Sequence, residues 1–380
     1  MTVGAGIYVL VGATAAQAGP YAPISFLIAA FVVAFTAFSY AELSTRYSVS
    51  AGEAAYVEAG FNAKWLATSI GLAVALSGMV SAAAVSIGAA SYLHDLTQIP
   101  QDVLTVAVIG VMGLIALWGI TQSVMVAAII TVIEISGLVL VIIWGFFVAE
   151  PLGVNLTQMI PPATGPHWIG IAAASLLAFF AFVGFEDMAN IAEEVKDPVR
   201  TMPKAIIWTL VLAILLYVGT TTAVLVSVPI ETLATSAAPL SLVFQAAPVS
   251  VRQVFAVVAI IATVNGLLIQ MIMASRVLYG LADRGQLPAP LAMVSRTTQT
   301  PVTATIAVAL IIVVLAQAFP INALAEHTSQ IVLVVFVVVN AALVRVKMSG
   351  FVAQAYFKVP IVVPVLGVLT SILLLGTTLL

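Results

Sequence analysis

The sequence predicts an all-α protein that crosses a membrane many times, and three observations support this fold class. Of the 380 residues, 63% are apolar and 7% are charged, whereas a soluble domain carries roughly 45–50% apolar and about 25% charged residues. The apolar residues form long stretches of about the ~20 residues that a membrane helix needs. These stretches do not alternate with period two, and most exceed the roughly ten residues of a barrel strand, which argues against an outer-membrane β-barrel.

Eleven apolar stretches, each closed by polar residues or by Pro and Gly, are predicted to be membrane spans. In chain order they cover residues 1–18, 21–43, 63–93, 102–118, 123–148, 168–194, 203–228, 251–283, 302–319, 325–346 and 360–379. The first stretch has no charged leader and does not resemble a signal peptide. The last one stops without a polar exit. We therefore expect the chain to begin partway through one helix and to end at the finish of another.

The basic residues predict the orientation of the spans. Eleven of the twelve Lys and Arg residues fall on or near the side where the first span begins, and Arg252 is the exception. Short loops rich in Lys and Arg stay in the cytoplasm, so we expect this side to be cytoplasmic in the cell (inner or plasma) membrane. The eleven are Arg46, Lys64, Lys196, Arg200, Lys204, Arg276, Arg284, Arg296, Arg345, Lys347 and Lys358.

Composition also weighs against several other classes of protein. The formal net charge of −3 offers no basic field for nucleic acid, and the absence of cysteine removes disulfides, thiolate metal sites and Fe–S clusters. His94, His167 and His327 all fall at or beyond predicted helix ends, so no pair is buried for haem ligation. No nucleophile motif or metal-binding His cluster is present. We expect no catalytic residue, metal site or cofactor, and an enzyme is the less favoured alternative.

Two spans are interrupted in a chemically informative way. The first span carries Gly4 and Gly6, and the sixth carries Gly184 followed by Glu186 and Asp187. Glycine costs about 1 kcal/mol inside a helix, and a carboxylate deep in the bilayer costs at least ~2.5 kcal/mol. Unwound backbone at membrane depth is tolerated where it lines a cavity, and there it can hold a charged ligand. The alternative is that these glycines only allow close helix packing.

The two interruptions occupy corresponding positions if spans one to five and six to ten form inverted repeats. Such paired broken helices are typical of the substrate site of a secondary transporter. We expect one transmembrane domain over residues 1–380, with repeat one at about 1–150, repeat two at about 165–347 and an extra C-terminal helix at about 360–380. An ion channel, the other alternative, would favour rings of like residues or a repeated filter.

Several motifs, in this order along the whole chain, resemble the amino acid–polyamine–organocation (APC) superfamily. They are residues 4–8 (GAGIY), 51–53 (AGE) with Tyr56, 182–186 (FVGFE), 193–198 (EEVKDP) with Pro203, and 276–288 (RVLYGLADRGQLP). The resemblance implies an N-terminally truncated amino acid permease with the LeuT-like five-plus-five inverted-repeat fold, usually of twelve helices. It implies amino acids or related amines as substrates. Ser48 and Ala51 depart from the pattern, since many members have Pro and Gly there.

The resemblance also implies a substrate site at the two interruptions. Free amides of the first helix would bind the substrate carboxylate, and carbonyls of the sixth would take its ammonium group, with Phe180 as an aromatic gate. Gln270 stands where arginine-selective relatives place a stacking Trp, which favours a neutral or small amino acid. The predicted substrate-binding residues are Gly4, Ala5, Gly6, Ile7, Phe180, Ala181, Val183, Gly184 and Gln270.

Two carboxylates inside the membrane are predicted to take part in coupling or gating. Glu134 lies mid-span, where desolvation disfavours its charge and suits it to proton uptake and release. The resemblance places Glu134 where some relatives carry a Lys in a sodium-like site, with Ser275 as a neighbour. Glu186 matches a gating and proton-sensing Glu, and Asp187 is left outside the core site. The alternatives are a structural protonated Glu134 and a helix-capping Glu186.

The sequence thus predicts a secondary active transporter of amino acids that works by alternating access, through proton-coupled symport or exchange. A transporter of polyamines or organic amines with the same fold is the alternative. The expected partners are the amino acid substrate, H⁺ or Na⁺, and the lipid bilayer, without nucleic acid. The identity of the substrate, the coupled ion and the oligomeric state stay open.

Overall fold

The computed structural model describes residues 4–47, 52–119, 124–189, 195–349 and 356–379, and these residues form helices and connections without any strand. The α-helices in chain order are α1 (Ala5–Ala18), α2 (Ala22–Arg46), α3 (Gly52–Phe61), α4 (Lys64–Thr97), α5 (Gln101–Trp118), α6 (Val124–Phe147), α7 (His167–Phe180), α8 (Pro198–Ser227), α9 (Ile230–Thr235), α10 (Val249–Asp283), α11 (Val302–Ala318), α12 (Ile321–Met348) and α13 (Val362–Gly376). The predicted all-α polytopic fold is confirmed.

Each of the eleven predicted spans corresponds to one of these helices, while α3 and α9 are short connecting helices. Eight helical segments of the described residues are long and apolar enough to cross a membrane. One of them, Ala5–Arg46, contains both α1 and α2, which a single tight turn at Gly19–Tyr21 separates. The helices α7 and α11 are shorter apolar helices. The helix of the sixth predicted span, residues 168–194, ends at Phe180, shortly before the predicted interruption at Gly184.

Helices at equivalent places in the two halves of the chain pack against each other. The pairs α1 with α7, α2 with α8, α4 with α10 and α5 with α11 are all in contact. In addition, α6 lies against α8 and α10, and α12 lies in the same way against α2 and α4. Small residues allow close approach where burial from water cannot drive association. For example, a methyl group on Gly88 of α4 would collide with Val9 of α1.

A fully buried carboxylate joins three segments at one end of the bundle. Glu42 of α2 accepts hydrogen bonds from Arg46 Nε at 2.9 Å, from Lys347 Nζ of α12 at 2.6 Å, and from the Val359 amide at 2.7 Å. The Arg46 guanidinium also lies 3.9 Å from the ring centroid of Tyr356. We call this end of the bundle, which also holds the start of α4 at Lys64, the basic end. The cluster holds the connection before α13 onto α2 and α12.

Candidate functional site

The start of α1 lies at the first predicted interruption. Gly4 directly precedes the helix and is buried. Because glycine has no side chain, it cannot cap the first amides of the helix. The first amides of a helix have no partner within the helix, and the positive end of its dipole lies there. The amides of Ala5, Gly6 and Ile7 therefore form an end suited to an anion, as the sequence predicts. Residues 1–3 lie outside the described residues.

The second interruption is the end of α7. After Phe180 the chain continues in tight turns, with the Val183 amide donating to the Phe180 carbonyl at 3.1 Å. Gly184 then takes a φ of 113°, which side chains with a Cβ rarely adopt. A carboxylate oxygen of Glu186 accepts the Gly184 amide at 2.8 Å. Glu186 thus supports the broken backbone in the way that the capping alternative predicts, and residues 190–194 lie outside the described residues.

The two interruptions face each other across a very short distance. A methyl group on Gly6 would lie 2.6 Å from the Cα atom of Ala181, closer than real Cβ contacts come. From α8, the Tyr217 hydroxyl donates to the Ala181 carbonyl at 2.8 Å, which fixes the turn after α7. The absence of a side chain at Gly6 is therefore what brings the amide end of α1 to the carbonyl end of α7.

A small pocket lies at this meeting point, between α1, α4, α7 and α10. The described residues that line it include no charged side chain. They are Ala5, Gly6, Ser81, Val85, Phe180, Ala181, Val183, Gly266 and Gln270. We call it the central pocket.

Six of the predicted substrate-binding residues line the central pocket and three do not. Gly4, Ile7 and Gly184 are outside the lining, and Ile7 is fully buried in the core. Sequence reasoning missed Ser81, Val85 and Gly266. Ser81 and Val85 share one face of α4, at the i, i+4 spacing, but this spacing of small residues is common in membrane helices and is not a usable signal.

A chain of hydrogen bonds leads from α1 to the predicted coupling residue Glu134. The Tyr92 hydroxyl donates to the Tyr8 carbonyl at 2.6 Å, and the Tyr8 hydroxyl donates to the Glu134 carbonyl at 2.7 Å. The Glu134 side chain is 1% exposed and its Oε1 atom accepts from Asn265 Nδ2 at 2.9 Å. Within the described residues, its second oxygen has no hydrogen-bond partner.

The structure gives Asn265, rather than Ser275, as the hydrogen-bond partner of Glu134. The Ser275 hydroxyl donates to the Ile272 carbonyl of its own helix at 2.8 Å. It lies ten residues beyond Asn265, which is ~15 Å along α10. An asparagine within an apolar span was the available signal for this partner, because such a residue needs a polar contact in the membrane.

A second cavity adjoins the central pocket and shares Val183 and Gln270 with it. Its lining includes Glu53 of α3 together with Glu186 and Asp187. We call it the acidic cavity. It extends toward the basic end, because α3 connects α2 to α4 there. Asp187, which the sequence prediction left outside the site, is thus part of its wall.

A third and larger cavity, of about 1,200 Å³, lies at the opposite end of the bundle. Its lining includes Asp95, which follows the acidic-cavity residue Val74 by 21 positions on α4, or ~30 Å. Phe244 and Phe255 also line it, with ring centroids 4.5 Å apart, and Phe255 stacks on Tyr8 of α1 at 6.3 Å. Cavities thus approach α1 from both ends of the bundle.

Fold and site together define a class: a multi-pass helical membrane protein with a pocket between the start of α1 and the broken end of α7. Comparison with known families gives the same class and narrows it. The family model described as amino acid permease matches residues 1–380. The chain therefore belongs to the amino acid permease family of the APC superfamily, which confirms the resemblance seen in its motifs.

Individual relatives are similar over most of this chain. The branched-chain amino acid permease BcaP of Bacillus subtilis (strain 168) is 28% identical, over 98% of this chain and 84% of the relative. Cationic amino acid transporter 3, mitochondrial, of Arabidopsis thaliana is 30% identical, over 91% of this chain and 60% of the relative. The methylthioribose transporter of Bacillus subtilis (strain 168) is 27% identical, over 97% and 83%. The chain thus spans less than two thirds of the plant transporter.

Proposed function

We propose that this protein is a secondary transporter that carries amino acids across the membrane by alternating access. The observation that carries the proposal is the central pocket, which lies where the amide end of α1 meets the carbonyl end of α7. Amides at a positive helix end attract a carboxylate, and carbonyls attract an ammonium group. An α-amino acid carries both groups a short distance apart.

The lining of the central pocket favours an amino acid with a neutral side chain. Beyond the backbone groups, the pocket offers aliphatic groups, the Phe180 ring, the Ser81 hydroxyl and the Gln270 amide. A cationic side chain would have to leave water without a carboxylate among these lining residues, and this costs free energy. The name of the BcaP relative, a branched-chain amino acid permease, agrees with this preference.

A polyamine is the second candidate substrate, and the pocket favours it less. A polyamine has no carboxylate, so the α1 amides would stay without an acceptor when it binds. An unpaired buried donor costs about 1–3 kcal/mol. The methylthioribose transporter shows that the name of a relative can specify a substrate other than an amino acid, so the substrate needs a direct test.

The packing of the helices supports two inverted repeats as the basis of alternating access. Helices α1, α2, α4, α5 and α6 of repeat one correspond to α7, α8, α10, α11 and α12 of repeat two. The contacts of α6 with α8 and α10 have their counterparts in those of α12 with α2 and α4. Rocking of one group of helices against the other would open the central pocket to each side in turn.

The substrate preference predicts the outcome of a thermal-shift screen. Neutral aliphatic amino acids should stabilise the purified protein. A ligand that binds only the folded state stabilises it by an amount that grows with the ratio of ligand concentration to dissociation constant. Arginine, lysine and polyamines should stabilise it less at equal concentration. The measurement is the melting temperature against each of the twenty amino acids and common polyamines. Stabilisation by polyamines alone would reject amino acid transport in favour of the second candidate.

Glu134 is proposed to couple transport to protons. One oxygen of its buried carboxylate has no hydrogen-bond partner among the described residues, and the Tyr8 hydroxyl donates to the Glu134 backbone carbonyl, which links α6 to α1. In Glu134→Gln the side-chain carbonyl can still accept the hydrogen bond from Asn265, so the packing is kept and the proton site is lost. We expect uptake into vesicles to lose most of its pH dependence.

Radiolabelled uptake over a pH series provides the measurement for Glu134→Gln. Glu150→Gln is the matched control, because Glu150 is exposed and lies just after the same helix. The control should keep the wild-type pH profile. An unchanged profile in Glu134→Gln would remove Glu134 from coupling.

A further inference from the structure

The acidic cavity has three carboxylates in its wall and no basic side chain among the described residues that line it. Glu53, Glu186 and Asp187 meet there, while α4, α10 and α12 contribute uncharged residues. Buried charges of one sign cost free energy unless they are paired or neutralised. A transported zwitterion brings no net charge, so it cannot neutralise these carboxylates. Protons that bind to the carboxylates can neutralise them.

Glu53 occupies an unusual position among the three carboxylates. It lies on α3, a connecting helix outside the membrane spans, yet it is 3% exposed. The Tyr40 hydroxyl of α2 donates to its Oε1 atom at 3.3 Å. The Tyr40 ring in turn packs edge-on against Phe185, at 5.7 Å between centroids. Glu53 is therefore connected to the residue that directly precedes Glu186 in the broken segment after α7.

The hydroxyl of Tyr56 is a second buried polar group near Glu53. The Tyr56 hydroxyl, one helical turn along α3, has no hydrogen-bond partner among the described residues, and its side chain is fully buried. Burial first, and the charge of Glu53 second, raise the pKa of Tyr56 far above its usual range. The hydroxyl is therefore near enough to Glu53 to sense its charge, and it stays a hydrogen-bond donor.

The basic side chains of α2 and α12 make contacts elsewhere, and Arg276 of α10 is exposed. On α12, Arg345 lies over the Phe61 ring at 4.9 Å, and Lys347 is bound to Glu42. On α2, Arg46 is bound to the same Glu42. On α4, Lys64 precedes the cavity residue Val74 by ten positions, or ~15 Å. The charged or titratable groups that face Glu53 are thus Tyr40, Tyr56, Glu186 and Asp187.

Burial raises the pKa of Glu53 to about 7, and the charge of Asp187 adds to this effect, while hydrogen bonds from its own backbone amide and from Tyr40 oppose it. Glu53 is therefore protonated below about pH 7 and ionised above it. This change falls in the physiological range, where an ordinary Glu, with a pKa of about 4.3, is already ionised.

We propose that Glu53 is a second proton-binding residue of the transport cycle, which holds a proton while the acidic cavity is closed and releases it to the solution at the basic end when the cavity opens. The inference rests on the proposed transport function and adds a residue that neither the sequence nor the family resemblance assigned to coupling. The proton comes from and returns to the aqueous phase, and no covalent bond other than O–H changes. Tyr40 and Phe185 connect the protonation of Glu53 to the broken segment that bounds the central pocket.

Two transport modes separate proton coupling from substrate movement. In vesicles, exchange of labelled for unlabelled amino acid needs only movement of the loaded carrier, whereas accumulation driven by a pH gradient needs proton release. In Glu53→Gln the amide oxygen can still accept from Tyr40, so we expect exchange close to the wild-type rate. We expect accumulation driven by the pH gradient to be lost. The transition near pH 7 in the plot of transport rate against pH should also be absent. Glu58→Gln, on the same helix and outside the cavity lining, should behave as wild type in both modes.

A second variant tests the same carboxylate without removing it. Tyr40→Phe removes a hydrogen bond that favours ionised Glu53, so the midpoint of the pH profile should move to higher pH. The proposal is overturned if exchange-competent Glu53→Gln keeps wild-type accumulation. If Glu53→Gln does not fold, an unshifted midpoint in folded Tyr40→Phe overturns it equally. A wild-type protein without amino acid exchange would instead reject the proposed function, whereas exchange without any pH dependence would reject only the coupling.

Discussion

Replacing Gly6 by valine should abolish amino acid binding and transport. Even a single methyl group at this position would lie 2.6 Å from the Cα atom of Ala181, and backbone cannot yield as a flexible side chain does. Valine adds two further carbons, so α1 and the end of α7 must separate or the central pocket must fill. Because the ligand contacts depend on both helix ends at once, we expect a loss of affinity greater than about 100-fold, or 2.7 kcal/mol.

The measurement is substrate-induced thermal stabilisation, together with uptake in vesicles. Gly110→Val on α5 is the matched control, because a side chain there meets no atom within 4 Å and the position is exposed on the bundle surface. The control should bind and transport as wild type does. Retained affinity in a folded Gly6→Val protein would show that the meeting of α1 and α7 does not form the ligand site.

Replacing Glu42 by glutamine should lower the free energy of unfolding by about 3–5 kcal/mol, because removal of one partner from a buried ion pair leaves its counter-charges unpaired. Arg46 and Lys347 are 3% and 9% exposed, so water cannot take the place of the carboxylate. The hydrogen bond from the Val359 amide would weaken as well, which loosens the connection before α13. Chemical denaturation in detergent, followed by circular dichroism, measures the change.

Asp197→Asn is the matched control for Glu42→Gln. Asp197 forms an ion pair with Arg200 at 3.7 Å in which both side chains are largely exposed. Exposed pairs of this kind contribute about 0–1 kcal/mol. Asn also tolerates the positive φ of 51° at this position. Equal losses of unfolding free energy in the two variants would contradict the conclusion that the buried Glu42 ion pairs stabilise the basic end of the bundle.

The positions of the spans and of the break after α7 could be predicted from local sequence. A membrane helix must satisfy its own backbone groups and present apolar side chains to lipid, so length and composition suffice to find it. Glycines and carboxylates violate these requirements and therefore mark a break, as at Gly184, whereas Gly6 lies within α1. Most of the predicted binding residues line the central pocket for this reason.

Contacts between distant parts of the chain could not be predicted in the same way. Asn265 as the partner of Glu134, and Ser81 with Gly266 in the wall of the central pocket, depend on which faces of α4, α6 and α10 meet. In a membrane these faces are chosen by close packing of small residues and by a few hydrogen bonds rather than by an apolar stripe. Periodicity along one helix therefore carries little information about its neighbours.

The amino acid sequence alone was sufficient for the all-helical membrane fold, the break after α7 and the family, because the bilayer penalises each misplaced polar group separately. Tertiary structure decided the rest. It showed that Gly6 meets Ala181, that the central pocket has no charged wall among its described residues, and that Glu53 from a connecting helix joins Glu186 in the acidic cavity. These features form where segments far apart in the chain pack against each other. The charge and shape of a cavity depend on which segments meet, and local sequence does not specify this.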